Sequence, residues 1–368
     1  MANGNDKSEW EIIGADIALM RMFRDIESEI DRWDVLAVYD RLCPNCMWKV
    51  PSSRLEEQLA CTECLPTRKL REWEKSIKSK NPQIRLGKFL ERNKTLKRFK
   101  HAYEIESELE DFAKFFRKIV GSDPWSAQRV WGRRVLSGQS FAIIAPTGVG
   151  KTVFGTVMAL YLAIKKGYTS YIILPTKTLL KQIYMRMKEW EKKLGVNFTI
   201  AYYSQMPKSE RKEFDERFSK GDFKILITTS QFLIKKLNEI MEAFAKAKGG
   251  DVRYRYVDFM FVDDVDSFLR NVKNVDRAMY LLGYMKIKEI KDVLQKIQRF
   301  VRGAGSEAQL TDEDWSNIIK ARAKCGILVV SSATGRVKGI LLRRIFNIIF
   351  GFSIGSSKEG IRLSLIHI

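Results

Sequence analysis

The chain has 368 residues, of which 45% are hydrophobic and 30% are charged, as in a globular protein with a large core. Lysine and arginine number 65 against 44 acidic residues, so the net charge is +21. Such an excess favours a polyanionic partner, most simply nucleic acid, over a generally basic proteome or the charged surface of a thermophile.

Targeting signals and disulfides are not indicated. The N-terminus is polar and acidic rather than a secretory signal, and no run of 18 apolar residues indicates a membrane span. Five cysteines in a chain of this size argue against a disulfide scaffold. We therefore expect a cytoplasmic protein with no membrane partner, and a monomer.

The first 40 residues are predicted to be helical, because Trp10, Ile17, Met20 and Phe23 lie near helical spacing. Residues 41–66 contain two C-x-x-C pairs separated by 14 residues, close to the spacing of zinc knuckles. Four thiolates suit a closed tetrahedral Zn²⁺ site with a structural role, and an iron–sulfur cluster or a redox pair is the alternative. The predicted ligands are Cys43, Cys46, Cys61 and Cys64.

Residues 67–120 are predicted to form a basic helical bridge. From Arg68 to Lys100 there are 13 lysine or arginine residues against three glutamates. Three aromatic residues lie among these charges: Trp73, Phe89 and Phe99. They could stack on bases or, as we expect for most of them, form the buried stripe of an amphipathic helix.

From residue 121 to residue 360, short apolar segments alternate with helical patterns. This alternation predicts one RecA-like α/β domain with a parallel sheet and a ligand at the carboxyl ends of the strands. The predicted strands are Phe141–Ala145, Ser170–Leu174, Phe198–Tyr203, Lys224–Thr228, Phe259–Val262 and Gly326–Ser331. Residues 271–320 are long for a connection and are predicted to be a helical insertion that could touch DNA or a neighbouring domain.

A phosphate-binding loop follows the first predicted strand and precedes a helix. Its residues are Ala145, Pro146, Thr147, Gly148, Val149, Gly150, Lys151 and Thr152. Backbone N–H groups of such a loop converge on phosphate oxygens, Lys151 would reach the β- and γ-phosphates, and the Thr152 hydroxyl would bind Mg²⁺. Ala145 replaces the first glycine of the usual pattern, a form common in helicase-like ATPases.

Two carboxylates follow the strand Phe259–Val262. Asp263 is predicted to hold Mg²⁺ through water, and Asp264 to orient and deprotonate the attacking water. Most related ATPases have glutamate at the second position. Taken alone, the acidic cluster could equally be a helix N-cap.

Gln128 lies 17 residues before the phosphate loop and resembles the helicase Q-motif, whose amide reads the adenine edge. A surface glutamine is the alternative. Short segments at the ends of three other predicted strands resemble helicase elements that contact the nucleic-acid backbone or couple it to ATP, although their polar residues also suit helix caps. These are Pro175, Thr176, Thr228, Thr229, Ser332, Ala333 and Thr334. Cys325 is expected to be a core residue.

Together, these motifs resemble the first RecA-like domain of a superfamily 2 helicase. The four N-terminal cysteines and Asp-Asp-Val-Asp at 263–266 resemble the reverse gyrases in particular. The resemblance implies ATP, Mg²⁺ and Zn²⁺ as cofactors, DNA as a partner, and a parent type IA topoisomerase that introduces positive supercoils.

The resemblance also implies a second RecA-like lobe and a topoisomerase module, which these 368 residues do not include. We therefore expect a truncated gene, with residues 361–368 a non-native tail and the fragment inactive by itself. Two alternatives remain open. One is a stand-alone helicase or translocase, and the other is a zinc-ribbon DNA-binding module that ATP switches without hydrolysis.

Overall fold

The computed structural model describes residues 37–74, 77, 79–250, 252–301, 310–335 and 339–354, and the chain divides into two compact units, Met1–Glu108 and Leu109–Ile368. The predicted helical stripe at Trp10, Ile17, Met20 and Phe23, the Trp73 side chain and the predicted tail 361–368 lie outside the described residues. No helix in the described ranges is both long enough and apolar enough to cross a membrane.

The first unit contains a small antiparallel sheet and helices. Strand β1 (Val38–Tyr39) pairs with β2 (Val50–Pro51), so the end of the segment predicted to be helical is a strand. The helices are α1 (Ser52–Glu56), α2 (Thr67–Glu74), α3 (Pro82–Arg92) and the first part of α4 (Lys100–Val120). Helix α3 begins where the Asn81 side chain accepts the N–H groups of Gln83 and Ile84, with proline at its first position.

A hydrophobic core of the first unit joins the cysteines to the basic segment. Cys43, Cys61 and Cys64 share it with apolar side chains of the basic segment, including Leu86, Phe89, Leu90 and Phe99. Phe89 is fully buried and Phe99 is 9% exposed, so neither is available to stack on bases. The expectation of a buried helical stripe is therefore confirmed for Phe89, whereas Phe99 is buried from the turn before α4, and base stacking by either residue is wrong. The basic segment packs against the cysteine knuckles themselves.

The second unit contains a six-stranded parallel sheet, as predicted. The order of its strands is β3-β8-β7-β4-β6-β5. The strands are β3 (Phe141–Ile144), β4 (Ser170–Leu174), β5 (Thr199–Ala201), β6 (Ile225–Thr229), β7 (Phe259–Val262) and β8 (Ile327–Ser332). Strands β4 and β7 are buried along their whole length, which explains their continuous apolar sequences.

Helices connect the strands, and most of them pack on the sheet. They are α5 (Ser126–Leu136), α6 (Lys151–Lys166), α7 (Lys177–Leu194), α8 (Lys208–Lys220), α9 (Ser230–Lys235), α10 (Leu237–Ala247) and α11 (Val265–Phe268). Helix α6 approaches the sheet closely because Gly155 has no side chain: a Cβ at this position would lie 2.5 Å from the Phe261 ring. The phosphate loop and its helix are thereby held directly over β7.

The segment predicted as a helical insertion contains α12 (Lys273–Leu282), a short 3₁₀ helix (Tyr284–Lys286), α13 (Lys288–Val301) and α14 (Asp312–Lys324). Its apolar residues join the main core of the second unit. Helix α15 (Ile340–Arg344) and a π-helix (Ile345–Phe350) follow β8. The Arg322 guanidinium donates hydrogen bonds to the carbonyl oxygens of Ile348 and Ile349, so the insertion also anchors this apolar segment. Cys325 is 4% exposed and lies in the core, as expected.

A buried ionic cluster ties the entry of β7 to its neighbours. The Asp258 carboxylate accepts hydrogen bonds from Lys248 Nζ (2.9 Å), Arg255 Nε (2.7 Å) and the Thr169 N–H (2.9 Å). Burial alone would raise the pKa of Asp258, but Lys248, Thr169 and Arg255 hold it below its usual value. The pKa of Lys248 is lowered, because burial destabilises the charged lysine by more than its contacts with Asp258 stabilise it.

Replacing Asp258 with alanine should lower the free energy of unfolding by about 3–5 kcal/mol, because it leaves two cations without their buried partner. The depressed pKa means that the wild-type cluster contributes its full stability above the unfolded-state pKa of about 4 and loses it as pH falls through the folded-state pKa. Urea unfolding at pH 7 and at pH 3 measures both effects.

Asp215→Ala is the control, since Asp215 pairs with Arg211 at the exposed surface, and it should change the free energy of unfolding by less than about 1 kcal/mol. A loss for Asp258→Ala as small as the control's would contradict this account.

Candidate nucleotide site and four-cysteine metal centre

The phosphate loop turns between β3 and α6. Gly148 and Gly150 have φ angles of 89° and 79°, which a residue with a side chain rarely adopts. A Cβ on Gly150 would also lie 2.7 Å from Gln128 Nε2, so this position requires glycine for two reasons. The loop residues from Ala145 to Gly150 are half-buried or exposed, and they form an open turn at the carboxyl end of β3.

Lys151 folds back over this loop. Its Nζ donates hydrogen bonds to the carbonyl oxygens of Ala145 and Pro146, each at 2.7 Å. Burial lowers the pKa of Lys151, while Asp263 and Asp264 favour its charged form. The cation therefore lies on the phosphate-binding loop with two carboxylates near it.

Asp263 joins three parallel strands at their carboxyl ends. Its Oδ2 accepts a hydrogen bond from Thr152 Oγ1 at 2.5 Å, and its Oδ1 accepts one from the Ser331 hydroxyl. Strands β3, β8 and β7 are neighbours, so residues that follow them meet although Thr152 and Asp263 are 111 positions apart. The structure brings Lys151, Thr152 and Asp263, three of the residues selected from the sequence, close to one another. Ser331, which sequence reasoning did not select, is the fourth member of this cluster.

Asp264 takes a left-handed backbone conformation, with φ 55° and ψ 73°. This conformation is uncommon for a residue other than glycine and is found at functional sites more often than elsewhere. The Asp264 N–H lies 3.4 Å from Ser331 Oγ, so the same serine contacts both consecutive aspartates.

A second polar cluster links the end of β8 to α11. The Asp266 Oδ2 accepts hydrogen bonds from Ser332 Oγ and Thr334 Oγ1, both at 2.8 Å. The Ser332 hydroxyl in turn accepts the N–H groups of Thr334 and Gly335. Ala333 is exposed between its two polar neighbours. Asp266 was not chosen as a site residue from the sequence, although its three-residue spacing from Asp263 was a usable signal.

Gln128 is not on the surface. It is 4% exposed, its Oε1 accepts the Trp125 N–H at 3.0 Å, and its Nε2 donates to the Gly150 carbonyl at 3.2 Å. The alternative of a plain surface glutamine is therefore wrong. In this structure the amide contacts the phosphate loop, while Trp125 beside it is 63% exposed.

The remaining predicted residues lie at the carboxyl ends of two adjacent strands: Pro175 and Thr176 follow β4, and Thr228 and Thr229 end β6. Thr176 caps α7, its hydroxyl accepting the Leu179 N–H at 3.3 Å, and Pro175 precedes it. The Thr228 hydroxyl is fully buried and bonded to Tyr171 at 2.7 Å, whereas Thr229 is half-buried at the strand end. These residues lie at the same edge of the sheet as the phosphate loop, because all six strands are parallel.

The four cysteines of the first unit converge. Their Sγ atoms all lie within 4.8 Å of one another, and none is in a disulfide. Three of the four thiols are buried, and the Cys61 N–H lies 3.4 Å from Cys43 Sγ. Such N–H···S contacts and a compact set of four sulfurs suit a tetrahedral soft-ligand metal ion.

The pKa values of three of the thiols, those of Cys43, Cys61 and Cys64, are shifted in different directions. Burial would raise the pKa of Cys43, but the backbone N–H groups of Cys61, Cys46 and Asn45 together lower it to about 7. Burial raises the pKa of Cys64 to about 11, and it raises the pKa of Cys61 far above its ordinary value. Four sulfurs this close can all be thiolates only when a cation shares their charge, and the cysteine set fits Zn²⁺.

Two protein families match this chain. The model of the DEAD/DEAH box helicases matches residues 125–334, which contain the sheet and the nucleotide site. The model of the reverse gyrase zinc finger matches residues 35–80, which contain all four clustered cysteines.

Curated relatives extend over both parts. Reverse gyrase 1 of Aquifex aeolicus is 39% identical over 87% of this chain, and reverse gyrases of Pyrobaculum aerophilum and Thermococcus kodakarensis are 35% and 33% identical over 89% of it. The chain spans 25%, 26% and 19% of these three proteins, respectively. The chain therefore belongs to the DEAD/DEAH box helicase family, and it carries the helicase-like region and the zinc finger of the reverse gyrases.

Proposed function

We propose that this chain is the ATP- and DNA-binding part of a reverse gyrase, an ATP-dependent type IA topoisomerase that introduces positive supercoils into DNA. The ATP-binding part of the proposal is carried by the hydrogen bond between Thr152 and Asp263, which places a hydroxyl and a carboxylate beside the phosphate loop. The topoisomerase part rests on the similarity to the reverse gyrases. A hydroxyl after the loop lysine and a carboxylate at a strand end are the ligands that a nucleotide-bound Mg²⁺ needs.

ATP would bind in the open turn formed by Ala145, Pro146, Thr147, Gly148, Val149 and Gly150. Lys151 would exchange its two carbonyl contacts for phosphate oxygens, since a charged acceptor makes the stronger hydrogen bond. Gln128 would read the adenine edge with its side-chain amide, whose Nε2 donates to the Gly150 carbonyl oxygen and so connects base recognition to the phosphate loop.

Thr152 and Asp263 would hold Mg²⁺, which neutralises developing charge on the phosphates when it is bound. The carboxylate of Asp264 would orient and deprotonate the attacking water. Its backbone is left-handed, and its N–H contacts the same serine hydroxyl that bonds Asp263.

DNA would bind across the carboxyl edge of the sheet, with its phosphates near Pro175, Thr176, Thr228 and Thr229. The Thr228 hydroxyl is held by Tyr171, so this residue would contribute through its main chain. Ser332, Ala333 and Thr334 would couple nucleotide state to this surface, because Asp266 bonds both hydroxyls and lies three residues from Asp263. Such contacts position the strand without reading sequence.

Zn²⁺ would be held by Cys43, Cys46, Cys61 and Cys64, which leave no open coordination position for catalysis. We expect one zinc ion per chain by elemental analysis, falling towards zero in Cys43→Ser and Cys64→Ser, because three thiolates bind zinc far more weakly than four. Cys325→Ala is the control, since Cys325 lies in the other unit, and it should keep the zinc. Full zinc content in the Cys43 and Cys64 variants would contradict the assignment.

Lys151→Ala should weaken binding of a fluorescent ATP analogue about tenfold to a hundredfold, because it removes a charge-assisted contact worth about 1.5–3 kcal/mol. Asp263→Asn should instead abolish most of the stimulation of binding by Mg²⁺. Fluorescence titration with and without Mg²⁺ separates the two effects. Lys192→Ala, an exposed lysine on α7, is the control and should bind as wild type does. If all variants bound the ATP analogue as tightly as wild type, the proposed nucleotide site at the carboxyl edge of the sheet would be wrong.

Expressed by themselves, these 368 residues should hydrolyse ATP very slowly, with or without DNA. The reason is that only one lobe would stabilise the negative charge that develops on the phosphates in the transition state. Arginine fingers from a second lobe can contribute about 10³–10⁵ in rate. Release of phosphate, measured by a coupled assay, tests this. Robust DNA-stimulated hydrolysis would contradict it.

The topoisomerase assignment has its own test. The product of the complete gene, incubated with relaxed plasmid and ATP, should yield positively supercoiled DNA on two-dimensional gels. The Lys151→Ala form of that product should not. A product that only unwinds DNA would favour a stand-alone helicase instead.

A further inference from the structure

A cation-rich connecting loop, residues 93–99, leads from α3 to α4 in the first unit. Lys94, Lys97 and Arg98 are exposed, and Lys100 follows at the start of α4. The loop lies outside the two C-x-x-C pairs, yet its backbone is bonded to them at several points. Neither structural zinc binding nor nucleotide binding uses this feature.

Asn45, inside the first C-x-x-C pair, makes most of these bonds. It is fully buried, and its Nδ2 lies 3.2 Å from Cys64 Sγ and 2.7 Å from the Thr95 carbonyl oxygen. Its Oδ1 accepts the Lys97 N–H at 2.8 Å, and its carbonyl oxygen accepts the Arg98 N–H at 3.2 Å. The Asn45 side chain, which belongs to the first knuckle, therefore contacts a sulfur of the second knuckle and two residues of the connecting loop.

The second C-x-x-C pair holds the same loop through a carbonyl group. The Cys64 carbonyl oxygen accepts hydrogen bonds from Asn93 Nδ2 at 2.8 Å and from Thr95 Oγ1 at 2.6 Å. Both knuckles are thus bonded to a segment about 30 to 50 positions away. A metal ion that joins the knuckles would fix both attachment points at once.

The connecting loop presents its cations outward on this fixed backbone. Phe99 is buried in the core shared with the cysteines, while Lys97 and Arg98 are exposed immediately before it. Cations on a backbone that is already ordered lose less entropy when they bind phosphates than cations on a free chain.

We infer that Asn45 couples metal occupancy of the four-cysteine site to the conformation of the connecting loop, and that the ordered loop binds nucleic-acid phosphates through Lys97 and Arg98. The inference rests on the proposed zinc and DNA binding. It makes Asn45 a positioning residue, which acts on the DNA contact through the loop backbone. The metal ion would then contribute to DNA affinity without touching DNA.

The coupling can be tested on the full 368-residue chain loaded with Co²⁺ as a spectroscopic substitute for Zn²⁺. Asn45→Ala should still bind one metal ion, because all four thiols remain. Its thiolate-to-cobalt charge-transfer band should shift, since the N–H···S bond to Cys64 is lost. Amide hydrogen exchange at Lys97 and Arg98 should accelerate about tenfold or more, as expected for the loss of buried hydrogen bonds.

Thr95→Ser is the matched control, because it keeps a hydroxyl donor for the Cys64 carbonyl and leaves Asn45 in place. It should retain the wild-type spectrum and exchange rates. Metal-free wild type should exchange at the loop as fast as Asn45→Ala or faster. An Asn45→Ala protein with unchanged spectrum and unchanged loop exchange would overturn the coupling.

The DNA contact is tested by the double variant Lys97→Gln/Arg98→Gln. Its affinity for a short duplex should fall about tenfold at low salt, and the slope of log affinity against log salt should decrease by roughly one to two. Lys192→Gln/Lys193→Gln, two adjacent exposed lysines on α7, makes the same change in charge and is the control. Asn45→Ala should weaken DNA binding while keeping every cation.

The outcomes separate this inference from the function on which it rests. Wild type that binds zinc and DNA, with Asn45→Ala and the Lys97/Arg98 variant indistinguishable from it in DNA affinity, would overturn the inference alone. Wild type that binds neither zinc nor DNA would overturn the proposed function as well. Weakened binding by both variants, against an unchanged control, would support the coupling.

Discussion

The Asp263 carboxylate makes the contacts on which the geometry of the candidate nucleotide site depends. It is 8% exposed and accepts hydrogen bonds from Thr152 after β3 and Ser331 at the end of β8. A buried carboxylate is costly unless its oxygens are satisfied, so these two hydroxyls both stabilise it and fix its direction. The strand order β3-β8-β7 makes the arrangement possible, because it places the three strand ends side by side.

Close packing beneath the site supports that arrangement. Gly155 lets α6 approach Phe261 in β7, so the helix after the phosphate loop and the strand before Asp263 are held at a short distance. A second polar cluster, built on Asp266, extends the same edge toward Ser332 and Thr334. Two aspartates three residues apart thus bond to two consecutive serines at the end of β8. The hydrogen bonds from Thr152 to Asp263 and from Ser331 to Asp263 form a direct connection between the phosphate loop and the end of β8.

The first unit is organised by a different constraint. Its cysteines belong to the hydrophobic core that the following basic helix also fills, and Arg54 is fully buried there with its guanidinium donating to the carbonyl oxygens of Ala60 and Leu65. These two carbonyls flank the Cys61–Cys64 knuckle. A small unit with little apolar area gains stability from such a cross-linked core. It also becomes a rigid support for the charges on its surface.

Much of this could be predicted from local sequence. The four-cysteine spacing, the phosphate loop and the strand bounds at β4 and β7 were predicted because each depends on residues close together in the chain. The apolar runs of β4 and β7 are buried on both faces, which leaves little ambiguity about their structure. The acidic pair at 263 and 264 was predicted for the same reason, since it directly follows such a strand.

Other features were decided only by the tertiary structure. Ser331 and Asp266 became site residues because the order of strands in the sheet, which is not encoded in any local pattern, places β8 between β3 and β7. The Thr228 hydroxyl was buried against Tyr171 by the pairing of β4 with β6. Asn45 contacts a sulfur and a loop about 50 positions away because both pack into one core. Short-range patterns therefore determined which functional side chains this protein carries. Long-range packing determined which of those side chains contact one another, because hydrogen bonds depend on distance in space rather than along the chain.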